Sequence, residues 1–181
     1  KLTIENILKD IFNSDSEKWR IANLRFFNPV GAHSSGIIGE NLEGEVSNLF
    51  PSIIRTIKGK QKKLSVYGNN WPTKDGTCIR DFIHIMDLAD AHIATLNFLI
   101  SNSPQYKSIN IGTGNGKSVL EVIKQFWELN EGKFSYEFKG KRLGDEPFIV
   151  ADNKIALELL NWRPKKKLRH MCIDSLNSLL K

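Results

Sequence analysis

The chain has 181 residues, of which 26 are Lys or Arg and 20 are Asp or Glu, so its formal net charge is +6. Hydrophobic residues make up 40% of the chain, which is enough for a buried core and excludes a globally disordered protein. The apolar runs are shorter than the roughly 18 residues of a membrane span and two cysteines cannot form a disulfide framework, so we expect a cytoplasmic protein with no membrane contact.

Hydrophobic periodicity predicts an α/β protein in which crossover connections join most of the strands. Apolar residues at a helical spacing predict a first helix at 2–13, and the run RIANLRFF predicts a strand at 20–27. This strand is expected to be buried on both faces, because its apolar residues are not confined to alternate positions. A long loop rich in Gly, Ser and Asn follows at 28–48, and loops of this length are usually functional.

The rest of the chain alternates between short strands and amphipathic helices. One of these helices is predicted to be capped by Asp87, because a short polar side chain accepts hydrogen bonds from a first helical turn. The next helix is predicted to start at Ser118. The predicted elements are a helix at 49–58, a strand at 64–68, a turn at 68–77, a strand at 80–86, a helix after Asp87, a strand at 107–112, a helix from Ser118, a strand at 135–139, a short helix from Asp152 to near Trp162 and a final helix from Leu168 to Leu179.

The first predicted helix has no N-cap residue before it. The chain starts at Lys1, and the apolar stripe begins at the next residue, Leu2. A chain boundary or a cleavage site would explain this start. We favour the interpretation that a preceding domain is missing from the sequence.

A glycine-rich turn, IGTGNGKS at 111–118, lies between a predicted strand and a predicted helix. Its end is similar to a phosphate-binding P-loop, but Ile111 stands where that loop needs glycine. Lys117 likewise breaks the G-x-G-x-x-G dinucleotide pattern. The residues therefore favour a tight β–α turn over a nucleotide hydrolase, and an anion held by the helix N-terminus stays open as an alternative.

Two pairs of opposite charges suit a nucleotide ligand. Arg80 precedes Asp81 at the start of a predicted strand, and Arg142 precedes Asp145 in a loop. Guanidinium groups bind diphosphates through paired hydrogen bonds, and a carboxylate can accept ribose hydroxyls. The alternative is a surface salt bridge within each pair.

Other charged groups carry less information. Basic runs at 58–63, 139–142 and 165–167 favour solvated surface, with a small phosphate ligand as the alternative, and lack the pattern of a nucleic-acid module. His84 and His92, with the acidic residues between them, lie across a strand–helix junction, so they are not expected to converge on a metal ion.

The run LRFFNPVGAHSSGIIGE at 24–40 is followed by YGNNWPTKDGT, RDFIHIMDLADAH, NIGTGNGKSVLEVI and KRLGDEP. Over essentially its whole length the chain resembles the UDP-glucose (UDP-galactose) 4-epimerases, which are extended short-chain dehydrogenases/reductases. The resemblance implies the C-terminal half of a Rossmann-like α/β enzyme that uses NAD, inverts C4 of UDP-glucose and UDP-galactose through a 4-keto sugar and forms homodimers.

The resemblance also assigns roles to residues. Lys1 corresponds to the catalytic lysine, whose tyrosine partner would lie upstream of this sequence, and Lys1 and Phe27 would contact NAD. The residues implied to bind the UDP-sugar are Asn28, Asn48, Leu49, Ser65, Val66, Tyr67, Arg80, Arg142, Asp145 and Ile149. Ile149 stands where a tyrosine restricts relatives to plain hexoses and a small residue admits N-acetyl sugars, so acceptance of N-acetylhexosamines stays open.

The implied domain division places residues 1–28 at the end of the NAD-binding Rossmann domain. Residues 29–181 would form mainly the smaller UDP-sugar-binding domain, with the strand and helix near 107–130 able to return to the Rossmann sheet. Alone, this length of chain is expected to be inactive, since it lacks the base and the dinucleotide loop. A catalytically inactive remnant, or a module that only binds a UDP-sugar, is the alternative function.

Overall fold

A computed structural model describes residues 1–39, 46–132 and 134–178. The helices are α1 (Leu2–Ser14), α2 (Leu49–Ile57), α3 (Ile85–Ser101), α4 (Val119–Leu129), α5 (Lys154–Leu159) and α6 (Leu168–Asn177). The strands are β1 (Arg20–Phe26), β2 (Asn28–Val30), β3 (Leu64–Tyr67), β4 (Ile79–Arg80), β5 (Phe82–His84), β6 (Gln105–Ile111), β7 (Lys117–Ser118), β8 (Tyr136–Lys139) and β9 (Phe148–Ile149).

The predicted α/β class is confirmed. Four strand pairs are parallel, β1 with β6, β2 with β5, β3 with β8 and β4 with β9, while β4 and β7 are antiparallel. Each parallel pair needs a long connection, and the intervening helices supply it. Residues 40–45 of the predicted long loop, and Leu179 of the predicted last helix, lie outside the described residues.

The longest pair joins β1 to β6, with Arg20 opposite Gln105 and Phe26 opposite Ile111. Helices α1 and α3 contact both strands, and α5 contacts β6. The expectation that β1 is buried on both faces is wrong, because its residues are half-buried or exposed and Phe26 is 48% exposed. Within the described residues β6 is the one strand paired with β1, and this single neighbour leaves much of its surface uncovered.

The larger core lies between α2, α4, α6 and the β3–β8 pair. Phe50 stands at its centre, with ring centroids 5.5 Å from Phe82 and 5.1 Å from Phe126. Aromatic pairs at these separations stabilise a core beyond the contribution of the apolar area that they bury. A second, smaller core joins α3 and α5 to β6. Of the strand and helix predicted near 107–130, the strand β6 lies beside β1, whereas the helix α4 packs into the larger core.

The strand predicted at 80–86 ends early, and Asp87 is not the cap of the following helix. His84 is the N-cap of α3, and its Nδ1 accepts the Met86 N–H at 3.1 Å. Asp87 lies inside the first turn, where it accepts the Lys166 N–H at 2.8 Å. Its carbonyl accepts the indole N–H of Trp162 at 3.1 Å, so Asp87 fastens α3 to the segment before α6.

Two helices begin later than predicted. The short helix α5 begins at Lys154 rather than at Asp152, because the Asp152 carboxylate accepts the Lys154 N–H from outside the helix at 3.2 Å. Helix α4 begins at Val119 rather than at Ser118, because Ser118 is its N-cap, in a reciprocal capping box with Glu121. None of the helices over the described residues has the length and apolar character needed to cross a membrane.

Candidate functional site

A cleft of about 630 Å³ opens beside the larger core. Ten of the twelve residues implied by the resemblance line it, although they come from five separate segments. They are Phe27, Asn28, Asn48, Leu49, Ser65, Val66, Tyr67, Arg80, Arg142 and Asp145. Lys1 and Ile149 are not among its lining residues.

The first arginine of the cleft, Arg80, ends β4. Its Nη1 donates to the carbonyl oxygens of Ile79 at 2.9 Å and Glu146 at 2.7 Å. Its Nη2 lies 3.4 Å from Asp145 Oδ1, and only 15% of the Arg80 side chain is exposed. The guanidinium is thus held on one wall of the cleft, paired with Asp145 across 65 residues rather than with its neighbour Asp81.

The second arginine, Arg142, lies against an aromatic ring. Its guanidinium carbon is 3.7 Å from the centroid of the Tyr67 ring, a cation–π distance. Both terminal nitrogens donate to the Ser47 carbonyl at 3.4 Å. Tyr67 and Ser47 therefore fix a planar group that can present two parallel N–H donors to one anion.

Alternate side chains of β3 face the larger core and the cleft. Leu64 and Val66 are at most 1% exposed and belong to the larger core, whereas Ser65 and Tyr67 are half-buried. Alternate residues of a strand face opposite sides, so Ser65 and Tyr67 supply the side chains that border the cleft. The side chain of Val66 belongs to the core.

The other lining residues lie where elements begin or end. Asn48 is the N-cap of α2 and Leu49 its first residue. Asn28 begins β2, and Phe27 donates its N–H to the Ile111 carbonyl at 3.3 Å, at the carboxyl end of the β1–β6 pair. In open α/β sheets ligands bind at this end of parallel strands.

The glycine-rich turn after β6 does not offer its N–H groups to an external anion. The N–H groups of Thr113 and Gly114 each donate to the Asp81 carboxylate at 2.9 Å. The α4 N-terminus is closed by Ser118 and Glu121. The Asp81 carboxylate therefore occupies the position at which the sequence left an external anion open as an alternative.

Asp81 departs furthest from its predicted role. The charge pattern predicts a carboxylate that accepts ribose hydroxyls or forms a surface salt bridge with Arg80, whereas the side chain is fully buried. The sequence carries a weak signal for this burial, because Asp81 directly precedes the apolar residues Phe82 and Ile83. The identity of its partners, in a turn more than thirty residues away, carried no local signal.

The two remaining implied residues lie apart from the cleft. Lys1 is exposed and occupies the N-cap position of α1. Ile149 is 40% exposed and pairs with Arg80 across β4 and β9. Cys78 lines the cleft, and burial raises the pKa of its thiol, so it is a poor nucleophile. Across the described ranges, no group of three or more His, Cys, Asp or Glu residues could hold a metal ion.

Comparison with known proteins places these residues in a family. The NAD dependent epimerase/dehydratase family matches residues 1–112. UDP-glucose 4-epimerase of Bacillus subtilis is 45% identical over 175 residues, which cover 97% of this chain and 51% of that protein. UDP-glucose 4-epimerase 2 of Arabidopsis thaliana is 45% identical over 177 residues, which cover 98% and 50%.

Solved structures agree. A UDP-glucose-4-epimerase from Stenotrophomonas maltophila with bound NAD and formylated UDP-arabinopyranose superposes with a TM-score of 0.93 at 39% identity, covering 98% of this chain and 52% of that one. The enzyme from Bifidobacterium longum in complex with NAD+ and UDP also gives 0.93 at 39% identity, covering 99% and 53%. The chain spans about half the length of the relatives that it matches, and it belongs to the NAD dependent epimerase/dehydratase family.

Proposed function

We propose that this chain supplies the UDP-sugar-binding part of an NAD-dependent enzyme that interconverts UDP-glucose and UDP-galactose. The observation that carries the proposal is that Arg80, Arg142 and Asp145 line one cleft, although Arg80 lies more than sixty residues before the other two in the chain. The relatives named above, at 45% identity, support the same substrate class.

The cleft has the chemistry that a nucleoside diphosphate needs. Its volume falls within the range of about 300–1,000 Å³ that is common for small-molecule sites. Two fixed guanidinium groups match the two phosphates, because charge-assisted paired hydrogen bonds are strong and directional. We assign Arg80 and Arg142 to the diphosphate, Asp145 to the ribose hydroxyls and the β3 edge at Ser65 and Tyr67 to the uracil.

The residues present also fit the part of an NAD site that they would form. Phe27 combines an apolar ring with a place at the carboxyl end of β1, where dinucleotides bind in this class of fold. A bound NAD would supply the hydride chemistry at C4 of the sugar that the inversion requires. We assign Phe27 to the nicotinamide side, Asn28 to the sugar side and Lys1 to the lysine that lowers the pKa of a tyrosine base.

Three further assignments complete the proposal: the domain division, the role of Ile149, and the assembly and compartment of the complete protein. Residues 1–28, with the β6 strand beside them, belong to the NAD-binding domain, and most of residues 29–181 to the substrate domain. Ile149 borders the hexose and governs acceptance of N-acetyl sugars. The complete protein is a homodimer of the cytoplasm, a compartment that suits two unpaired, buried cysteines.

Titration calorimetry with UDP on the full-length protein tests the anchoring role. Arg80→Ala and Arg142→Ala are each expected to weaken UDP binding about 10- to 100-fold, since charge-assisted hydrogen bonds contribute roughly 1.5–3 kcal/mol. Arg169→Ala, an exposed arginine on α6 outside the cleft, is the matched control and should leave the affinity unchanged. Unchanged UDP affinity in both cleft variants would refute the assignment.

Conversion of UDP-galactose to UDP-glucose by the same preparation separates the enzyme from the binding module. UDP binding without conversion, in a preparation saturated with NAD, favours the module. Binding and conversion together establish the epimerase.

A further inference from the structure

Asp81 directly follows Arg80 in the chain and is fully buried, and the nucleotide-binding role does not use its carboxylate. Asp81 Oδ1 accepts the Thr113 N–H at 2.9 Å and the Thr113 hydroxyl at 2.5 Å. Asp81 Oδ2 accepts the N–H groups of Gly114 at 2.9 Å and Ala151 at 3.2 Å. Four donors offset the cost of taking this charge out of water.

The backbone of Asp81 connects two further segments. Its N–H donates to the Ile149 carbonyl at 3.1 Å, and its carbonyl accepts the Asn28 N–H at 3.0 Å. The residue therefore joins β2 on one side to β9 on the other, while its side chain holds the glycine-rich turn. Asn28 and Arg80 of the cleft are thus placed by one buried residue.

The glycine-rich turn is shaped to this carboxylate. A Cβ at Gly112 would come within 2.6 Å of Asp81 Oδ2 and 2.5 Å of the Ala151 Cβ, closer than real side chains approach. Gly114 has a φ of +69°, which favours glycine. The turn that looks like a phosphate loop in the sequence is built to fold around a carboxylate of its own chain.

We propose that Asp81 is a positioning residue for diphosphate binding, which sets Arg80 and Asn28 in place by anchoring the junction of β4 and β5 to the turn at 112–114. The inference rests on the proposed function, because it gives Arg80 its ligand. Asp81 itself does not touch the ligand, since it is fully buried and does not line the cleft.

Asp81→Asn is the direct test, because an amide nitrogen would face N–H donors that now meet an oxygen. In the full-length protein we expect UDP affinity to fall about 10- to 100-fold, because a displaced Arg80 loses its charge-assisted hydrogen bonds to the diphosphate. Uridine lacks the diphosphate that Arg80 binds, so its affinity, measured by NMR titration, should stay within about twofold of the unmodified protein.

Asp87→Asn is the matched control. Asp87 is also buried, at 3% exposed, and also accepts a backbone N–H, but it does not line the cleft. This variant should leave both affinities within about twofold. Equal losses of UDP affinity in the two variants, or equal losses of UDP and uridine affinity in Asp81→Asn, would overturn the proposal, since both patterns indicate general destabilisation.

Thr113→Val is a milder variant for the case in which Asp81→Asn does not fold. It removes the hydroxyl that donates to Asp81 Oδ1 and accepts the Asn115 N–H at 3.1 Å, and it keeps the side-chain shape. We expect UDP affinity to fall about threefold to tenfold with uridine affinity unchanged. No change in the ratio of the two affinities would count against the proposal.

A readout that needs no nucleotide separates this inference from the proposed function. Cys78 lies two residues before Arg80 and is 5% exposed, while Cys172 is fully buried in the core and serves as the internal reference. Asp81→Asn should raise the alkylation rate of Cys78 about tenfold, because β4 loses its anchor, and Asp87→Asn should not. A protein that binds no UDP refutes the proposed function, whereas an unchanged Cys78 rate refutes the role of Asp81.

Discussion

The larger core beneath the cleft, with helices α2, α4 and α6, is here called the cleft layer, and α1 with β1 is called the exposed layer. The helices of both layers have similar amphipathic patterns, but their apolar side chains differ greatly in burial. Val122, Ile123 and Phe126 of α4 are at most 1% exposed. Leu2 and Ile7 on the apolar stripe of α1 are 71% and 53% exposed, and α1, all of whose residues are described, holds no buried residue. Periodicity therefore identifies an amphipathic helix and its apolar face, but it does not report what covers that face.

The same two helices also differ at their N-termini. In α4, Ser118 accepts the Glu121 N–H at 3.0 Å and Glu121 accepts the Ser118 N–H at 2.8 Å. In α1 the N-cap residue, Lys1, makes no side-chain cap bond. Packing and capping thus reinforce each other in the layer that carries the cleft. Six substitutions test how far this contrast extends to stability.

The largest loss of stability is expected from replacing a buried isoleucine by alanine in the cleft layer. The same replacement in the exposed layer is its control. Ile53→Ala on α2, where the side chain is fully buried, should lower the free energy of unfolding by about 2–5 kcal/mol, because it leaves a cavity. Ile7→Ala on α1 should change it by no more than about 0.5 kcal/mol. Urea unfolding of the variants of this 181-residue chain measures both, and an equal loss at Ile7 would show that the α1 face is covered in solution.

Ser118→Ala should have the next largest effect. The change removes the cap of α4 and the hydrogen bond from Ser118 to Asp75. Burial opposes ionisation of Asp75, yet the hydrogen bonds from Ser118 and Thr77 hold the pKa of Asp75 below its ordinary value. We expect a loss of about 1–2 kcal/mol in thermal or urea unfolding.

Ser14→Ala on α1 is the control for this substitution. Its hydroxyl is exposed and bonds only locally, to the Ile11 carbonyl at 2.7 Å. The expected change is within about 0.5 kcal/mol. A loss at Ser14 as large as that at Ser118 would contradict the contrast between the two helices.

Acid should weaken the cleft layer through His84. This ring is fully buried, its Nε2 lies 3.0 Å from Asp174 Oδ2, and burial lowers the pKa of His84 although Asp174 acts in the opposite direction. The unfolded chain therefore binds a proton at pH values where the folded protein does not. Stability should be fully present above the ordinary histidine pKa of about 6.5 and fall below it, by at most about 1.4 kcal/mol per pH unit.

The free energy of unfolding between pH 5 and 8 measures this dependence. His84→Asn keeps a side chain that can cap α3 but cannot be protonated in this range, so its profile should be flatter. A profile of the unmodified protein that rises as the pH falls from 7 to 5 would contradict the assignment of a neutral, buried imidazole.

The smallest effect is expected from the ion pair of the exposed layer. Arg25 donates to Glu5 from β1 to α1 at 2.8 and 2.5 Å, and Arg25 lowers the pKa of Glu5. The pair contributes above the ordinary glutamate pKa and is lost as the pH falls through the lowered value. Because 51% of the Arg25 side chain is exposed, solvent and salt screen the pair although Glu5 is only 17% exposed. Glu5→Gln should therefore change stability little, and less still at 1 M salt than at low salt. A loss of stability that does not depend on salt would show that the ion pair is shielded from the ions of the solvent.

Much of the fold could be predicted from the sequence, and the exceptions share a cause. The helices at α1, α2, α4 and α6 follow from local periodicity and caps. The division of the strand at 80–86 into β4 and β5 does not, because it depends on partners of Asp81 that are distant in the sequence. Local patterns contain no information about which residue a buried carboxylate will meet.

The candidate site shows the same division. The resemblance implies ten residues that line one cleft, whereas the charge pattern alone indicates three of them, Arg80, Arg142 and Asp145. The charge pattern also indicates Asp81, which does not line the cleft. The pairing of Arg80 with Asp145, and the stacking of Arg142 on Tyr67, became visible only in three dimensions. Side chains that meet across long sequence separations define this site, and no spacing rule predicts them.

A crystal structure of the full-length protein with UDP tests the central claim most directly. The account predicts the diphosphate between Arg80 and Arg142, with a ribose hydroxyl on Asp145 and the uracil beside Ser65 and Tyr67. UDP bound elsewhere, for example among the lysines that line the groove between α4 and the start of α6, with both arginines left on their protein partners, would contradict it.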